Sequence, residues 1–268
     1  LPDYDVVIID EVSQVSQEQI NDLLSVGYKI IFVGDRNQLG VVSGTQNKYL
    51  YNPDFVLDEV LRQNKDSGIL KLGMLFNTCK RLPSYGKFSD DVLIIPKSKV
   101  SEELILQSDQ CLSCTNVTRN EWNKRVRKAK KYYDYLPMEG ERLISVQNMK
   151  NYVVEGRRII NGTTGEVVSV KHTMNGYFIV QFKPYKSESS IVMRADENFF
   201  LGKSRKKDFE LAQFDWGYCL TVAKAQGSEW DNVLFIVDNN MPREALLANI
   251  NTGISRAKKR LIVAYDEM

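Results

Sequence analysis

The chain has 268 residues, with 36 Lys and Arg against 34 Asp and Glu, a formal net charge of +2 and 43% hydrophobic residues. This length suggests about two domains and suffices to bury a large core without disulfides or metals. The apolar fraction excludes a disordered chain, and 16 Gly with 7 Pro exclude a collagen-like one. No apolar run approaches the roughly 20 residues that span a bilayer. Because the net charge is small, a nucleic-acid partner has to be argued from local basic clusters.

Cysteine and histidine usage limits the available chemistry. Cys111 and Cys114 form one C-x-x-C pair, but a zinc site needs a second pair of ligands, and the only histidine, His172, is far away in the sequence. A redox role would place the pair between a strand and a helix, whereas the surrounding LSCTN is typical of a strand. Buried structural thiols are therefore the favoured interpretation. A Ser-His-Asp triad is nearly excluded because His172 lies in the polar, turn-like stretch KHTMNG.

The first sixty residues are typical of an α/β domain. Residues 5–9 and 29–33 are short, continuous apolar runs, as expected for strands that are buried on both faces. Between them, Ser16 and Gln19 predict a capping box at the start of a helix that ends near Gly27. A strand, a helix and a strand within about thirty residues indicate a βαβ unit.

The rest of the chain predicts a second α/β region that is interrupted by short strands. The predicted α/β elements are a strand at 110–116, a basic helix at 119–131, strands at 218–221, 233–237 and 261–265, and a helix at 244–254. Between them, residues 141–183 are short apolar runs separated by turn signals at Gly156, Asn161-Gly162 and Asn175-Gly176. They predict a small antiparallel barrel, which residues 187–208 continue less clearly.

Acidic side chains follow the first predicted strand. Asp10 and Glu11 come directly after the apolar run, where open α/β sheets bind ligands. An Asp in this place is able to hold Mg²⁺, and a Glu beside it is able to act as general base on an attacking water in phosphoryl transfer. The alternative is a solvated strand end, since an apolar run followed by Asp-Glu is common by chance.

A second set of polar residues follows the next strand, in FVGDRNQLGVV. Gly34 allows a tight turn, Asp35 adds an acceptor, and Gln38 presents an amide that suits a hydrogen bond to a γ-phosphate. The alternative is an ordinary βα loop with a Gly-Asp turn. Arg62 in LDEVLRQ is able to supply charge to a phosphoryl transition state, but by itself it is equally typical of a helix surface.

Two later segments combine phosphate-binding residue types. LTVAKAQGSEWDNV places Thr, Lys, Gln and Ser donors after a predicted strand, and Gly227 lets the backbone approach a ligand closely. NTGISRAKKRLIV places Arg256 before the last predicted strand, where it is able to act as an arginine finger.

Taken in order, these segments resemble the motifs of a superfamily 1B DNA helicase of the RecD/Dda kind, which includes the exodeoxyribonuclease V alpha subunit. VVIIDEVSQ resembles motif II, the Walker B box, while VGDRNQLGVV resembles motif III and LDEVLRQ motif IV. CTNVTRNEWN resembles the opening of the second RecA-like lobe, and INGTTGEVVSV resembles the signature of an SH3-like insertion. LTVAKAQGSEWDNV resembles motif V and NTGISRAKKRL motif VI, so the resemblance covers nearly the whole chain.

The resemblance implies an α/β fold with a partial first RecA-like lobe, a complete second RecA-like lobe of the P-loop type and an inserted SH3-like β-barrel. The implied domains are 1–66 for the end of the first lobe, 67–139 and 214–268 for the second lobe, and 140–213 for the barrel. The implied activity is that of an ATP-dependent 5′-to-3′ helicase or translocase with ATP and Mg²⁺ as cofactors and single-stranded DNA as partner. Such a protein would be cytoplasmic, in a bacterium or as a phage protein in a bacterial cell. DNA-repair or replication proteins would be further partners, and a membrane would not.

The family's residue roles carry over where this sequence matches. Asp10 would hold Mg²⁺ and Glu11 would activate water. The other residues implied at the nucleotide are Gln38, which would sense the γ-phosphate, Arg62 and Arg256, which would contact it, Glu229 at the ribose, and Gly227. The residues implied for the single-stranded DNA track or its coupling elements are Thr115, Asn116, Asn148, Thr221, Lys224, Gln226 and Ser228.

Two departures from the family pattern matter. Motif V usually carries His before its Lys, and this position is Ala223, which removes one donor. The family also needs G-x-x-x-x-G-K-[ST], the Walker A loop that cradles the phosphates, and no such sequence occurs in the 268 residues. Because the chain enters a predicted strand at once, we expect a fragment that starts inside the first lobe. Its partner would be the missing N-terminal Walker A part of the same protein, and it would be inactive alone.

Local charge supports a nucleic-acid partner. Residues 119–131 carry seven basic residues, and 202–207 and 256–260 carry four each. The aromatic residues in or beside the first cluster are Trp122, Tyr132, Tyr133 and Tyr135. Basic grooves with stacking aromatics suit sequence-neutral binding of single strands. The alternative is a solvated helix face with core aromatics, and the resemblance favours a DNA role for part of this surface.

Other functions stay open at this point. A non-catalytic nucleic-acid-binding or assembly module derived from a helicase would have no chemical use for Glu11, Gln38 and Arg256. A helicase subunit of an exonuclease complex fits the same motifs without a nuclease site in this chain. A metal-dependent nuclease built on Asp10 and Glu11 offers no role for the Gln and Arg residues.

Overall fold

The computed structural model describes residues 4–36, 38–40, 45–57, 67–173, 176–200, 210–238 and 240–266. The chain divides into two compact units. Unit 1 is Leu1–Lys99 with Ala225–Met268, and unit 2 is Val100–Lys224. The helices are α1 (Gln17–Ser25), α2 (Gly68–Cys79), α3 (Glu102–Leu106), α4 (Asn116–Ala129), α5 (Glu197–Phe200), α6 (Val222–Ala225) and α7 (Arg243–Ile254). The strands are β1 (Val6–Ile9), β2 (Lys29–Phe32), β3 (Gly86–Lys87), β4 (Val92–Ile95), β5 (Gln110–Ser113), β6 (Arg142–Ser145), β7 (Met149–Val154), β8 (Arg157–Ile159), β9 (Thr164–His172), β10 (Tyr177–Pro184), β11 (Ile191–Asp196), β12 (Phe214–Trp216), β13 (Cys219–Thr221), β14 (Trp230–Ile236) and β15 (Ala257–Ala264). In the described ranges, no helix is long and apolar enough to cross a membrane.

Unit 1 begins with the predicted strand, helix and strand. Strands β1 and β2 are parallel, with Val6 opposite Lys29 at one end of the ladder. The capping box at the start of α1 is confirmed, since Gln19 N–H donates to Ser16 Oγ at 3.3 Å and Ser16 N–H donates to Gln19 Oε1 at 3.0 Å. This reciprocal pair satisfies two backbone donors that the first helical turn leaves free.

The expectation that these two strands are buried on both faces is wrong for the described residues. Ile9 and Phe32 pack with Ile20 of α1, but Ile8 is 65% exposed and Val6 44% exposed. Side chains alternate between the faces of a strand, so one face packs on α1 while the other meets solvent. A continuous apolar run cannot show which of its faces has a covering layer.

The second part of unit 1 is a sheet in the order β14-β15-β4-β3. The first three strands are parallel and short β3 is antiparallel to β4. Most of β14 and β15 is buried, as expected for parallel strands with both faces covered. Helix α7 packs closely on this sheet. A Cβ on Gly253 would lie 2.5 Å from the Phe235 ring, so only glycine fits at this contact.

Unit 2 contains the parallel pair β5 and β13, with Cys111 opposite Cys219. Helix α4 follows β5 and begins at Asn116, earlier than predicted, because Thr115 caps it: Thr118 N–H donates to Thr115 Oγ1 at 3.3 Å. Buried Asn123 ties α4 to β13, donating to the Cys219 carbonyl at 3.1 Å and accepting its N–H at 2.8 Å.

Most of the rest of unit 2 is antiparallel β-structure, as the short apolar runs and the turn signals between them predicted. The sheet order is β11-β10-β9-β6-β12, and β7 and β8 form a separate hairpin. Its core includes Phe182 and Phe214, whose ring centroids lie 4.8 Å apart. The SH3-like character of this region and the predicted domain boundaries stay predictions. The basic loop 202–207 lies outside the described residues.

Candidate functional site

Asp10 and Glu11 lie directly after β1. Asp10 is exposed, and its Oδ1 accepts the N–H of Glu11 at 2.8 Å. Glu11 has φ 51° and ψ 41°, a left-handed conformation that is uncommon for residues with a side chain. Val12 N–H donates to the Val33 carbonyl at 2.9 Å and ties this turn to the end of β2. The sharp turn keeps two carboxylates together at the end of the strand.

Asn47 stabilises this turn through hydrogen bonds that its sequence context does not predict. Its buried amide Nδ2 donates to the carbonyls of Val12 at 2.7 Å and Val15 at 2.9 Å. Its Oδ1 accepts the N–H of Leu50 at 3.3 Å and so caps a short 3-10 helix. The cap was open to prediction from an Asn before KYL. The long-range bonds were not, because their partners are more than thirty residues away.

Gln38 lies beyond β2 in the second predicted strand-end segment. Its N–H donates to the Asp35 carbonyl at 3.2 Å, and its side-chain Oε1 is buried with no hydrogen-bond partner among the described residues. A buried polar atom without a partner costs about 1–3 kcal/mol of stability, so a hydrogen bond to this oxygen from a ligand or a water would be favourable. Arg62, the arginine predicted for the same site, lies outside the described residues.

Arg256 is only 2% exposed and is held by the protein itself. Its Nε donates to the Thr252 carbonyl at 3.1 Å, and its Nη1 donates to the Ser228 carbonyl at 3.3 Å. Its Nη2 donates to Ser255 Oγ at 2.9 Å. The structure therefore brings the predicted motif VI arginine against the backbone of predicted motif V.

Predicted motif III joins the same group of residues in unit 1. Gln226 Nε2 donates to the Leu39 carbonyl at 3.2 Å, and the Leu39 N–H donates to Thr252 Oγ1 at 3.1 Å. Three segments that are far apart in the sequence are thus joined by side-chain bonds. Within the described residues, no hydrogen bond joins Asp10 or Glu11 to these segments, so the structure ties only part of the predicted nucleotide site together.

Gly227 and Glu229 lie beside this group. Gly227 has φ +74°, and no described protein atom lies within 4 Å of the position that a Cβ would take. Within the protein itself, glycine is needed here for its backbone conformation. Glu229 forms a partly exposed ion pair with Lys258 at 3.7 Å.

Four of the predicted nucleic-acid residues lie close together in sequence or space in unit 2. Thr115 caps α4, Asn116 is the exposed first residue of that helix, and Thr221 Oγ1 accepts the Lys224 N–H at 3.4 Å. Burial lowers the pKa of Lys224, the positive charge of Arg119 lowers it further, and nearby Asp215 opposes both.

Arg119 and Asp215 themselves form an ion pair at 2.7 Å, so Lys224 lies beside a charge pair. A cation that is partly desolvated in this way is well suited to an anionic ligand, because binding one would restore a counter-charge.

Asn148 lies apart from these residues, on the antiparallel part of unit 2. It is exposed, and its Oδ1 accepts the N–H of Asn161 at 2.9 Å, which fixes the Asn161-Gly162 turn. Gly162 has φ +91°, as such a turn requires.

The cysteine pair and the histidine show no shared site. Cys111 and Cys219 are buried, and burial raises the pKa of Cys111 to about 12 and that of Cys219 well above its usual value. In the part of the chain that the structure describes, no three His, Cys, Asp or Glu residues are placed to hold a metal ion. Burial outweighs the nearby positive charges, Arg142 at Cys111 and Arg119 at Cys219 among them, and makes these thiols poor nucleophiles.

Comparison with known proteins agrees with this architecture. Residues 217–264 match the model of the UvrD-like helicase C-terminal domain, and residues 1–78 match that of an AAA domain. Pif1 helicase from Candida albicans is 16% identical, with 97% of this chain and 71% of that chain covered and a TM-score of 0.56. Pif1 helicase from Bacteroides in complex with ADP-AlF3 and ssDNA is 13% identical, covers 98% and 70%, and has a TM-score of 0.59.

Bacteroides Pif1 bound to ssDNA is 14% identical, with 97% and 70% covered and a TM-score of 0.56. Identities this low speak for the fold. The residue roles and the RecD/Dda subtype stay predictions. The chain is thus similar to UvrD-like helicases over residues 217–264, and its mixed α/β fold with parallel sheets is similar to that of these Pif1 helicases.

Proposed function

We propose that this chain is the larger part of an ATP-driven helicase that moves 5′ to 3′ along single-stranded DNA. The observation that carries the proposal is the meeting of three motif segments in unit 1. Leu39 of motif III is bonded to Gln226 of motif V and Thr252 of motif VI, and Arg256 is bonded to Ser228. A motor needs such contacts to pass a change at a nucleotide on to the rest of the protein.

ATP and Mg²⁺ fit the residues present. Asp10 offers an exposed carboxylate, and Mg²⁺ in nucleotide sites is commonly bound through one or two carboxylates, substrate phosphates and water. The ion, when bound, would neutralise charge on the phosphates. Glu11 would take the proton of the attacking water. Gln38 Oε1, which has no partner among the described residues, would accept a hydrogen bond from that water, and its Nε2 would donate to the γ-phosphate.

The guanidinium groups of Arg62 and Arg256 would neutralise negative charge on the γ-phosphate. Gly227 and Glu229 would lie at the ribose side of the nucleotide. Arg256 would first have to exchange its present bonds to backbone carbonyls for bonds to phosphate. Since guanidinium–phosphate bonds are charge-assisted, this exchange is favourable.

In unit 2, Thr115, Asn116, Thr221 and Lys224 would contact single-stranded DNA, and Ser228 would do so in unit 1. The Bacteroides Pif1 structures with ssDNA support this partner. Gln226 and Asn148 would act at the edge of the track, where both already bond the protein.

The remaining partner is an N-terminal part of the same protein that carries the phosphate-binding loop. The exposed apolar face of β1 and β2, which includes Ile8 and Ile31, supports a covering element. DNA-repair or replication proteins would be further partners, which the structure does not identify.

Binding to a fluorescein-labelled oligo(dT), measured by anisotropy across a salt series, tests the DNA partner. Lys224→Gln should weaken binding about fivefold and flatten the salt dependence by about one ion, because each phosphate contact releases counterions. Lys87→Gln, which changes an exposed lysine in unit 1, is the matched control and should change the affinity less than twofold. No binding, or equal effects of both variants, would contradict the assignment.

ATP hydrolysis tests the motor. The chain by itself should show no Mg²⁺-dependent turnover, and robust turnover would refute that prediction. Joined to a segment that contains G-x-x-x-x-G-K-[ST], it should hydrolyse ATP in a DNA-stimulated manner. In that protein, Arg256→Ala should abolish hydrolysis and leave DNA binding largely intact, whereas the reverse result would refute the role of this arginine.

A further inference from the structure

The backbone of Leu39 is held from two sides. Its N–H donates to Thr252 Oγ1 at 3.1 Å, and its carbonyl accepts from Gln226 Nε2 at 3.2 Å. The partners lie 213 and 187 residues away in the sequence. Leu39 directly follows Gln38, so these bonds restrain the peptide next to the Gln38 side chain.

The same two partners lead to Arg256. The carbonyl of Thr252 accepts from Arg256 Nε at 3.1 Å, and the carbonyl of Ser228, two residues after Gln226, accepts from Arg256 Nη1 at 3.3 Å. Four hydrogen bonds therefore link Leu39, Thr252, Arg256, Ser228 and Gln226, and the backbone between Gln226 and Ser228 closes the ring. Thr252 is fully buried, where hydrogen bonds are stronger than in water.

We propose that Thr252 is a positioning residue that couples Arg256 to Gln38 through the Leu39 peptide. The inference rests on the proposed function, in which Gln38 and Arg256 both act on the γ-phosphate. Thr252 is suited to this role because its side chain holds Leu39 while its backbone carbonyl holds Arg256. Because close packing restrains a fully buried side chain, the two contacts of Thr252 move together.

Gln226 gains a defined task on this basis. Its side-chain amide donates to the Leu39 carbonyl, so Gln226 couples motif V to motif III. The contact with DNA is then left to neighbouring residues of motif V. Exchange of the Arg256 hydrogen bonds for bonds to a ligand would release the Thr252 and Ser228 carbonyls at once. The restraints on the N–H and the carbonyl of Leu39 would loosen with them.

Amide hydrogen exchange of Leu39 in the 268-residue chain, read by NMR, tests the first link. Thr252→Val keeps the shape but removes the acceptor, and should speed exchange at Leu39 about tenfold. Thr252→Ser retains the hydroxyl and should stay within about twofold of the original rate. Unchanged exchange in core strand β15 shows that the fold is intact. A Leu39 rate that ignores Thr252→Val would overturn the proposal.

A double-mutant cycle tests the coupling itself. Arg256→Lys should speed exchange at Leu39 about threefold in the original chain and have no further effect once Thr252→Val is present. Factors that simply multiply would show that Arg256 does not act through Thr252 and would overturn the proposal. These measurements need neither nucleotide nor DNA, so their outcome is separate from that of the hydrolysis and DNA-binding assays.

Discussion

Breaking the buried ion pair between Arg127 and Glu141 should strongly destabilise unit 2. Arg127 Nε donates to Glu141 Oε1 at 2.7 Å and Nη2 donates to Oε2 at 2.8 Å, so the pair is bidentate. Glu141 is fully buried, and its Oε2 also accepts the Met138 N–H at 3.0 Å. The guanidinium carbon lies 3.7 Å from the centroid of the Trp216 ring. The pair therefore joins α4 to the start of β6 and to β12.

Glu141→Gln keeps the size of the side chain and removes the charge that faces Arg127. Removing one partner of a buried pair costs about 3–5 kcal/mol, because the other charge stays buried without compensation. We expect about 4 kcal/mol, on the order of a thousandfold in the unfolding equilibrium. The double variant Arg127→Met/Glu141→Leu buries no charge and should cost about 1–3 kcal/mol, mainly through the lost acceptor of Met138.

Urea unfolding in a Trp230→Phe background measures these differences. The remaining tryptophans, Trp122 and Trp216, both lie in unit 2, so their fluorescence follows that unit. The midpoint should fall at unchanged slope. Glu139→Gln, two residues away and exposed, is the control and should change the free energy of unfolding by less than about 0.5 kcal/mol. A loss below about 1 kcal/mol for Glu141→Gln, as for an exposed pair, would refute the reasoning.

Three further predictions concern single side chains. Desolvation raises the pKa of Asp91, but hydrogen bonds from Ser89, Ser67 and the start of α2 outweigh it and lower that pKa. Asp91→Ala should therefore lower the free energy of unfolding in urea by about 1–2 kcal/mol. Exposed Asp90→Ala is the control, and equal midpoints for the two variants would contradict the prediction. Hydrogen bonds from Ser187 and Ser189 lower the pKa of Glu155 in the folded protein. The hydrogen bond from the Ser189 N–H to Glu155 should therefore be fully formed above the ordinary pKa of 4.5 and be lost as pH falls through the lower pKa of the folded state. Amide exchange of Ser189 between about pH 6 and about pH 3 should show this loss of protection, and Glu155→Gln should lack the pH dependence. Because Glu11 has φ 51°, Glu11→Val should unfold about 1–2 kcal/mol more easily than Glu11→Gly, and coincident urea curves would disprove this strain.

Local structure was predictable where it depends on neighbours in the sequence. The capping box of Ser16 and Gln19 starts α1 as expected, because both partners lie within one helical turn. The earlier start of α4 has an equally local cause in Thr115, which the sequence analysis passed over in favour of the basic run that follows. Strands β6, β9 and β10 of the antiparallel region followed from short apolar runs and the turn residues between them.

Burial was harder to predict. The apolar runs of β1 and β2 indicate strands correctly but wrongly suggested two covered faces, whereas Ile8 is largely exposed in the described structure. Hydrophobicity reports that a segment is able to be buried, and a partner layer decides whether it is. Gln38 shows the same limit, since its type and place were expected, but the burial of its Oε1 without a hydrogen-bond partner among the described residues was not.

By itself, the sequence determined the order of the motifs, the type of each element that it predicted and the resemblance to superfamily 1B helicases, because each depends on residue types at short, regular spacings. It left elements such as α2, α3 and β4 unassigned. Only the tertiary structure decided that Asn47 holds the turn after β1 and that Gln226 and Thr252 hold Leu39. Arg256 completes the ring of bonds around that peptide. These partners lie tens to hundreds of residues apart, and hydrogen bonds over such separations depend on how packed elements meet in space, which no local period records.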